Sequence, residues 1–395
     1  MRVAFLIFVG YASLGLVYAP GLESLVALVF ISASCSPLLL AGRDSGGRSC
    51  RGLEVPRVSV FSVVVALGIF NVTLVASAVG QPVSDLLSLE GIVRVAALST
   101  ARRYEVGGSN GNPILLAFSM WLIFRMGTSV DRAPKAMLFT AFLPLVAYSV
   151  VSTEKWPLFL GGVFFFGGVF LSFPLARSLR ISFRYIVVAA PSVIVASGLA
   201  MVLRGFTGQF PELASGLLHY VLAPYPAFGA WLLDEAVGAC CTLGGLSIVG
   251  PLDALGLATR EAGVFGTSAV VYGRETNIYT SFRYLVQDFS LLGPFVIMFG
   301  LTVVQRGLAK MGATAWSRQL VGFVIFSALL SVSVTPFVHN STALAVFLSL
   351  ASMLIVAVRL PPMAYHSSPK LLEPGGPSDV VGFHPDGPAS MVQPA

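Results

Sequence analysis

About ten stretches of apolar sequence, each long enough to cross the ~30 Å hydrocarbon core of a bilayer, constrain this chain more than any other feature. They fall at about 3–19, 24–41, 58–79, 113–130, 136–152, 157–175, 185–203, 289–306, 319–338 and 342–360. Hydrocarbon offers the backbone no hydrogen-bonding partner, so each run must satisfy its own amides and is expected as a helix. Charged residues make up 11% of the chain and hydrophobic residues 56%, with a mean hydropathy of +0.85. A soluble domain carries about a quarter charged residues. The expected fold class is therefore all-α: a polytopic integral membrane protein with about ten transmembrane helices over residues 1–360. The first run begins like a signal peptide and reaches Val17-Tyr18-Ala19, but Pro20 directly after that position opposes cleavage, so it is read as a span.

Basic residues alternate between connections. Arg43, Arg48, Arg51 and Arg57 crowd the second, and Arg125, Arg132 and Lys135 flank the fourth. Arg177, Arg180 and Arg184 occupy the sixth, and Arg306, Lys310 and Arg318 the eighth. Cytoplasmic loops collect Lys and Arg, so these connections and both termini are expected inside. A net charge of +6 would ordinarily raise nucleic acid as a partner; its distribution by membrane side argues for lipid instead.

Two large connections are then expected outside. In the first, about 80–112, Ser84 can cap a helix, and Leu86, Leu89, Val93, Ala96 and Ala97 recur at helical spacing. That predicts an interfacial helix running to Tyr104. The second, about 204–288, is expected to hold two short amphipathic helices broken at Pro224-Tyr225-Pro226, then irregular chain up to Arg274. The tail, 361–395, is rich in Pro, Gly and Ser without periodicity and is expected to be a disordered cytoplasmic segment. The four cysteines show no metal-binding spacing, and all read as small buried residues; the adjacent Cys240 and Cys241 could form only a strained ring.

Chemistry-bearing residues gather at the end of the second loop. Glu275, Tyr279 and Arg283 recur every four residues, which on a helix would align a carboxylate, a phenol and a guanidinium on one face. Asp288 follows about a turn later, where the apolar run at Phe289 begins. Spacing of this kind most often marks a solvated helix end. Here the block E-T-N-I-Y-T-S-F-R-Y, followed by D-F-S-L-L-G, also resembles the signature of the O-antigen polymerase family, the Wzy-type oligosaccharide repeat-unit polymerases. Ser290 stands where that pattern usually has Gly. Weaker echoes of the family are Arg103-Tyr104, the proline and aromatic segment from Pro211, and Lys155 in a short outer turn.

The resemblance implies a glycosyltransferase that joins a glycan held on a polyprenyl diphosphate to the terminal sugar of another carrier-linked unit. No cofactor is implied, and a flippase and a chain-length regulator are implied partners. Guanidinium groups suit a diphosphate leaving group, and an acceptor hydroxyl can require a carboxylate or histidine base. On this reading Arg283 is the catalytic cation, and Glu275 or Asp288 is the base or orients the arginine; sequence leaves these roles open. Arg274, Tyr279, Arg103, Tyr104, Lys155 and Arg204 are expected at the substrate. His219 is a further candidate base, although a lone histidine on an amphipathic helix more often sits at an interface. The chain has no Asp-x-Asp motif, which favours a metal-independent reaction, and no phosphate-cradling Walker loop. An O-antigen ligase is the nearest alternative. A lipid-linked oligosaccharide flippase or other transporter is the next, disfavoured because the span centres carry few ionisable groups.

Overall fold

The computed structural model describes residues 2–40, 54–106, 111–154, 156–173, 175–203, 210–236, 241–259, 269–276, 280–310 and 339–359. These residues are mostly helical. α1 (Arg2–Tyr18) and α2 (Leu22–Cys35) form an antiparallel pair, and α2 is continued by a short 3₁₀ turn over Ser36–Leu40. α3 (Val58–Ala78), α4 (Leu89–Val106), α5 (Pro113–Thr128), α6 (Lys135–Val151), α7 (Trp156–Ser172) and α8 (Leu175–Leu203) follow. α9 (Phe210–Leu222), α10 (Pro224–Asp234) and the single-turn α11 (Val249–Ala254) lie in the second large connection. α12 (Ser281–Phe289), α13 (Gly293–Lys310) and α14 (Asn340–Arg359) complete the described helices.

Every expected span except 319–338, which lies outside the described residues, coincides with one of these helices. Length narrows the reading. Among the described residues, Leu22–Leu40 and Val58–Ala78 are long and apolar enough to cross a bilayer, and the bent pair α12–α13 makes a third if it counts as one span. Ala4–Tyr18, Pro113–Thr128, Lys135–Val151, Trp156–Ser172 and Asn340–Ile355 are apolar but shorter, so a count of ten full spans goes beyond what the helices show. Large apolar side chains such as Leu6, Val29, Phe70, Phe139, Phe183 and Phe299 point away from the protein, as they do where hydrocarbon covers a surface. The tail at 361–395 is outside the described residues.

One continuous core holds the helices together, with Phe8, Ile31, Phe124, Tyr148, Phe164, Tyr225, Phe228 and Phe282 fully buried. α5 and α7 meet through small residues: a Cβ on Gly168 would lie 2.5 Å from the Phe124 carbonyl oxygen, and one on Gly127 would strike that of Phe165. Close backbone approach of this kind is how helices associate where no hydrophobic effect separates them from lipid. Asn112 caps α5, its side-chain oxygen accepting from the amides of Ile114 (2.9 Å) and Leu115 (3.4 Å) ahead of Pro113 at the first helical position.

The two large connections depart from expectation. In the first, the helix starts at Leu89 rather than Ser84; Val83–Leu87 is a 3₁₀ turn, and the Ser88 hydroxyl accepts from the Gly91 amide at 3.1 Å. In the second, the break between α9 and α10 falls at Ala223, beside the expected Pro224. α10 is buried rather than interfacial. Residues 224–229 and Trp231 are enclosed, Tyr225 sets its ring edge-on against Tyr11 at 4.8 Å, and a Cβ on Gly229 would strike the Glu23 carbonyl of α2.

The second connection also forms one short strand pair, where irregular chain up to Arg274 is expected. Ala269–Val271 (β1) and Arg274–Thr276 (β2) form an antiparallel hairpin with Val271 opposite Arg274. Tyr272 and Gly273 make its turn at φ 51° and 73°, the doubly left-handed form whose twist suits two-residue hairpins. β1 packs on α10, with Val271 buried.

Candidate functional site

α12 is a nine-residue helix with most of its surface enclosed. Its Phe282 ring meets Phe8 of α1 edge-on at 5.4 Å and lies 6.2 Å from Phe228 of α10. This anchor carries the next residue, Arg283, into the bundle, where it is only 3% exposed. The guanidinium carbon sits 4.9 Å from the centre of the Trp231 ring, and Nη2 is 3.9 Å from Glu235 Oε2. The indole face stabilises a desolvated cation, while the carboxylate is too far for a direct hydrogen bond and is itself about half exposed. A buried guanidinium in surroundings of low dielectric interacts strongly with any anion that reaches it.

α12 ends abruptly. Ser290 takes φ 70° and ψ 179°, a region that residues with a side chain rarely enter, and the chain turns by 100° into α13. The orphan carbonyls at the helix end are taken up by the segment after residue 240. The Cys241 amide donates to the Gln287 carbonyl at 2.8 Å and the Leu243 amide to that of Asp288 at 3.2 Å. The Asp288 carboxylate completes the clasp. One oxygen accepts from the Thr242 hydroxyl and from the Leu246 amide at 3.0 Å, and the other from the Ser247 amide at 2.7 Å. With both oxygens engaged and no exposed surface, Asp288 has the geometry of an anchor for residues 241–249. Cys241 is exposed and disulfide-bonded to a partner outside the described residues, which corrects its reading as a small buried residue; Cys35 is free and buried.

The helical face expected to unite Glu275, Tyr279 and Arg283 does not form. Glu275 lies on β2, exposed and opposite Val270, and the helix begins only at Ser281, so spacing by four has no helix to act on. Arg274 is exposed on the same strand. Tyr279, Lys155 and Arg204 lie outside the described residues. Arg103 and Tyr104 are within α4, with their side chains beyond what is described.

A second polar group forms under the hairpin. His219 of α9 is 8% exposed, its Nδ1 lies 3.1 Å from the Tyr18 hydroxyl, and Tyr18 in turn packs against Tyr272 at 5.8 Å between ring centres. Burial pushes the His219 pKa below its usual value and the Arg274 charge adds to this, while the Glu275 backbone acts in the opposite sense. A third group surrounds Glu154, 5% exposed, whose Oε2 accepts from Trp156 Nε1 at 2.9 Å and faces the Tyr148 hydroxyl at 3.4 Å. Trp156 stacks on His339 at 4.5 Å. Among the described residues, no three His, Cys, Asp or Glu side chains gather as a metal ion would need.

Trp231, Glu235 and Thr242 escape a reading by motif. Trp231 and Glu235 do carry a legible signal, being four apart on one helix and so on one face. Compared with protein-family models, characterised proteins and solved structures, the chain matches none.

Proposed function

We propose that this chain is a membrane glycosyltransferase that polymerises oligosaccharide repeat units carried on a polyprenyl diphosphate. The observation that carries the reading is Arg283: a buried guanidinium on a short helix among apolar helices, resting on an indole with the Glu235 carboxylate 3.9 Å away. In the proposed reaction the anomeric carbon leaves its diphosphate, negative charge develops on the leaving oxygens, and a preorganised cation there lowers the barrier. Such a cation is worth most where water is excluded. Glu235 holds the guanidinium between turnovers and yields to the diphosphate. Arg274, on the exposed hairpin, is a second cation for the carrier headgroup.

On this reading both termini are cytoplasmic, and the two large connections face outward in a bacterial inner membrane, where the lipid-linked donor and acceptor meet. The carrier's polyprenyl chain would lie along the apolar outer surface of the helices. A flippase and a chain-length regulator would be working partners. Arg283 is also the observation that favours a second reading, ligase, because transfer to a lipid acceptor would use the same diphosphate site.

Glycan length in cells lacking this chain tests the proposal. Carrier-linked and surface polysaccharide are extracted and resolved by gel. Single repeat units that persist while long chains vanish are the expected result. Long chains accumulating on the carrier would identify a ligase, and units trapped on the cytoplasmic side would identify transport.

A further inference from the structure

We infer that residues 241–257, with the corner between α12 and α13, lie within one leaflet of the bilayer and present a surface to lipid acyl chains. On the orientation proposed above this is the outer leaflet. The placement holds whether or not the chain polymerises glycan.

Helix lengths set the depth. Leu22–Leu40 joins the 14 residues of α2 to the 5 of the 3₁₀ turn. Together they rise about 30 Å, the full thickness of the hydrocarbon. α13 runs beside the Leu40 end of this span. The Thr302 hydroxyl donates to the Pro37 carbonyl at 3.2 Å, and the Arg306 guanidinium donates to the Leu40 carbonyl. From Arg306 back to Gly293, α13 rises only about 20 Å, and any tilt shortens this further. Gly293 therefore stops about 10 Å below the level at which Leu22 begins. The chain turns there by 100°, so the corner lies inside the leaflet and not above it.

The side chains around the corner suit that depth. Leu291 and Leu292 are exposed, and their apolar surface continues along α13 through Phe295, Phe299 and Val303, while Met298 and Thr302 are buried. Leu243 is 82% exposed, and Leu255 and Leu257 are each 72% exposed. The segment is held against the corner: a Cβ on Gly244 would lie 3.5 Å from the tip of the Phe289 ring. Leucines exposed to this degree, joined to a helix face of the kind hydrocarbon covers, fit acyl chains. No basic residue occurs between 241 and 257, so phosphate headgroups are not what this surface attracts. The carboxylate of Asp253 suits the headgroup boundary better than the bilayer centre.

The backbone is prepared for lipid as well. Hydrocarbon gives an amide nothing to bond to, and non-helical chain is tolerated at membrane depth only where the protein satisfies it. The amides of Cys241, Thr242 and Leu243 donate to carbonyls at the end of α12, and those of Leu246 and Ser247 to the Asp288 carboxylate. Farther along, the amides of Gly245, Ile248, Val249, Leu252, Leu255 and Leu257 donate to carbonyls of the segment itself. Pro251 has no amide to satisfy. A loop bathed in water does not need this completeness. The buried Asp288 carboxylate thus supplies acceptors at a depth where water does not.

The test uses the full chain in phosphatidylcholine nanodiscs, one chain per disc. Leu243→Trp and, separately, Leu255→Trp add an indole whose emission is taken as the difference from the wild type. The discs contain lipid brominated close to the headgroup, lipid brominated close to the chain end, or neither. The expected result is a blue-shifted added emission that falls about twofold or more with bromine close to the headgroup, falls less with bromine at the chain end, and resists iodide in the water. A red-shifted emission that iodide quenches and bromine leaves unchanged puts the segment in water and overturns the placement. A blue-shifted emission that neither quencher reaches means that protein covers the surface, and overturns it too. Should either variant fail to fold, Leu257→Trp reports on the same surface. The readout requires no turnover, so a chain that makes no polymer leaves it decisive.

Discussion

Replacing Asp288 by alanine should loosen one defined segment rather than only slow a reaction. The carboxylate accepts from two backbone amides, Leu246 and Ser247, and from the Thr242 hydroxyl, and it has no exposed surface. Alanine leaves three donors without their acceptor, each costing about 1–3 kcal/mol if water cannot reach it. Water entering the vacated space recovers part of this, as does relief from burying a carboxylate. We expect a net loss of about 3 kcal/mol, concentrated in residues 241–249, which the Asp288 carboxylate and the end of α12 hold together. At ~1.4 kcal/mol per decade, that is on the order of a hundredfold more frequent opening. Asparagine keeps one acceptor oxygen but sets its NH₂ against a donor, so it should fall between alanine and the wild type. Hydrogen–deuterium exchange on protein in nanodiscs reads the effect directly. Exchange across 242–249 that stays within threefold of wild type in Asp288→Ala would refute the anchoring role, and lost activity with unchanged exchange would return Asp288 to the reacting atoms.

Three further outcomes follow from the same physical reasoning. Ser290→Gly should stabilise the protein by about 1 kcal/mol, because φ 70° with ψ 179° strains any residue with a Cβ; a rise in melting temperature checks this. Gly168→Leu should destabilise by about 3 kcal/mol or prevent membrane accumulation, since even a Cβ would stand 2.5 Å from the Phe124 carbonyl oxygen; melting temperature or abundance in membranes reads it. His219 has a folded pKa below its usual 6.5, so the unfolded chain binds the proton more readily. Its contribution to stability is fully present above about pH 6.5 and falls as pH drops through the folded value, and His219→Asn should remove that portion of the acid sensitivity in a melting-temperature series.

The helices were legible because lipid leaves an apolar run of this length few alternatives, and Asn112-Pro113 marks a helix start by its own chemistry. Other features depend on what packs against what. α10 carries the prolines and aromatics of an interfacial helix, and nothing in its own residues distinguishes covering by lipid from covering by α1 and α2. The hairpin has strands of three residues and a tyrosine at a left-handed position, so neither periodicity nor turn chemistry announces it. That missed hairpin is also why Glu275 and Arg283 were expected on one face. Ser290 is the reverse case: a small departure from the resembling pattern coincides with a backbone conformation that glycine would adopt without strain.

The most direct measurement of the central claim is polymerisation by the purified chain. Wild type and Arg283→Lys are reconstituted in nanodiscs with polyprenyl-diphosphate-linked single repeat units, and the glycan released is resolved by length. Lysine keeps the charge but loses the planar fork and its fit over Trp231, so it separates guanidinium geometry from charge alone. The account predicts a ladder of repeat-unit multiples with the wild type and unextended single units with Arg283→Lys at equal protein. No ladder from folded wild type, or the same ladder from both proteins, would contradict it.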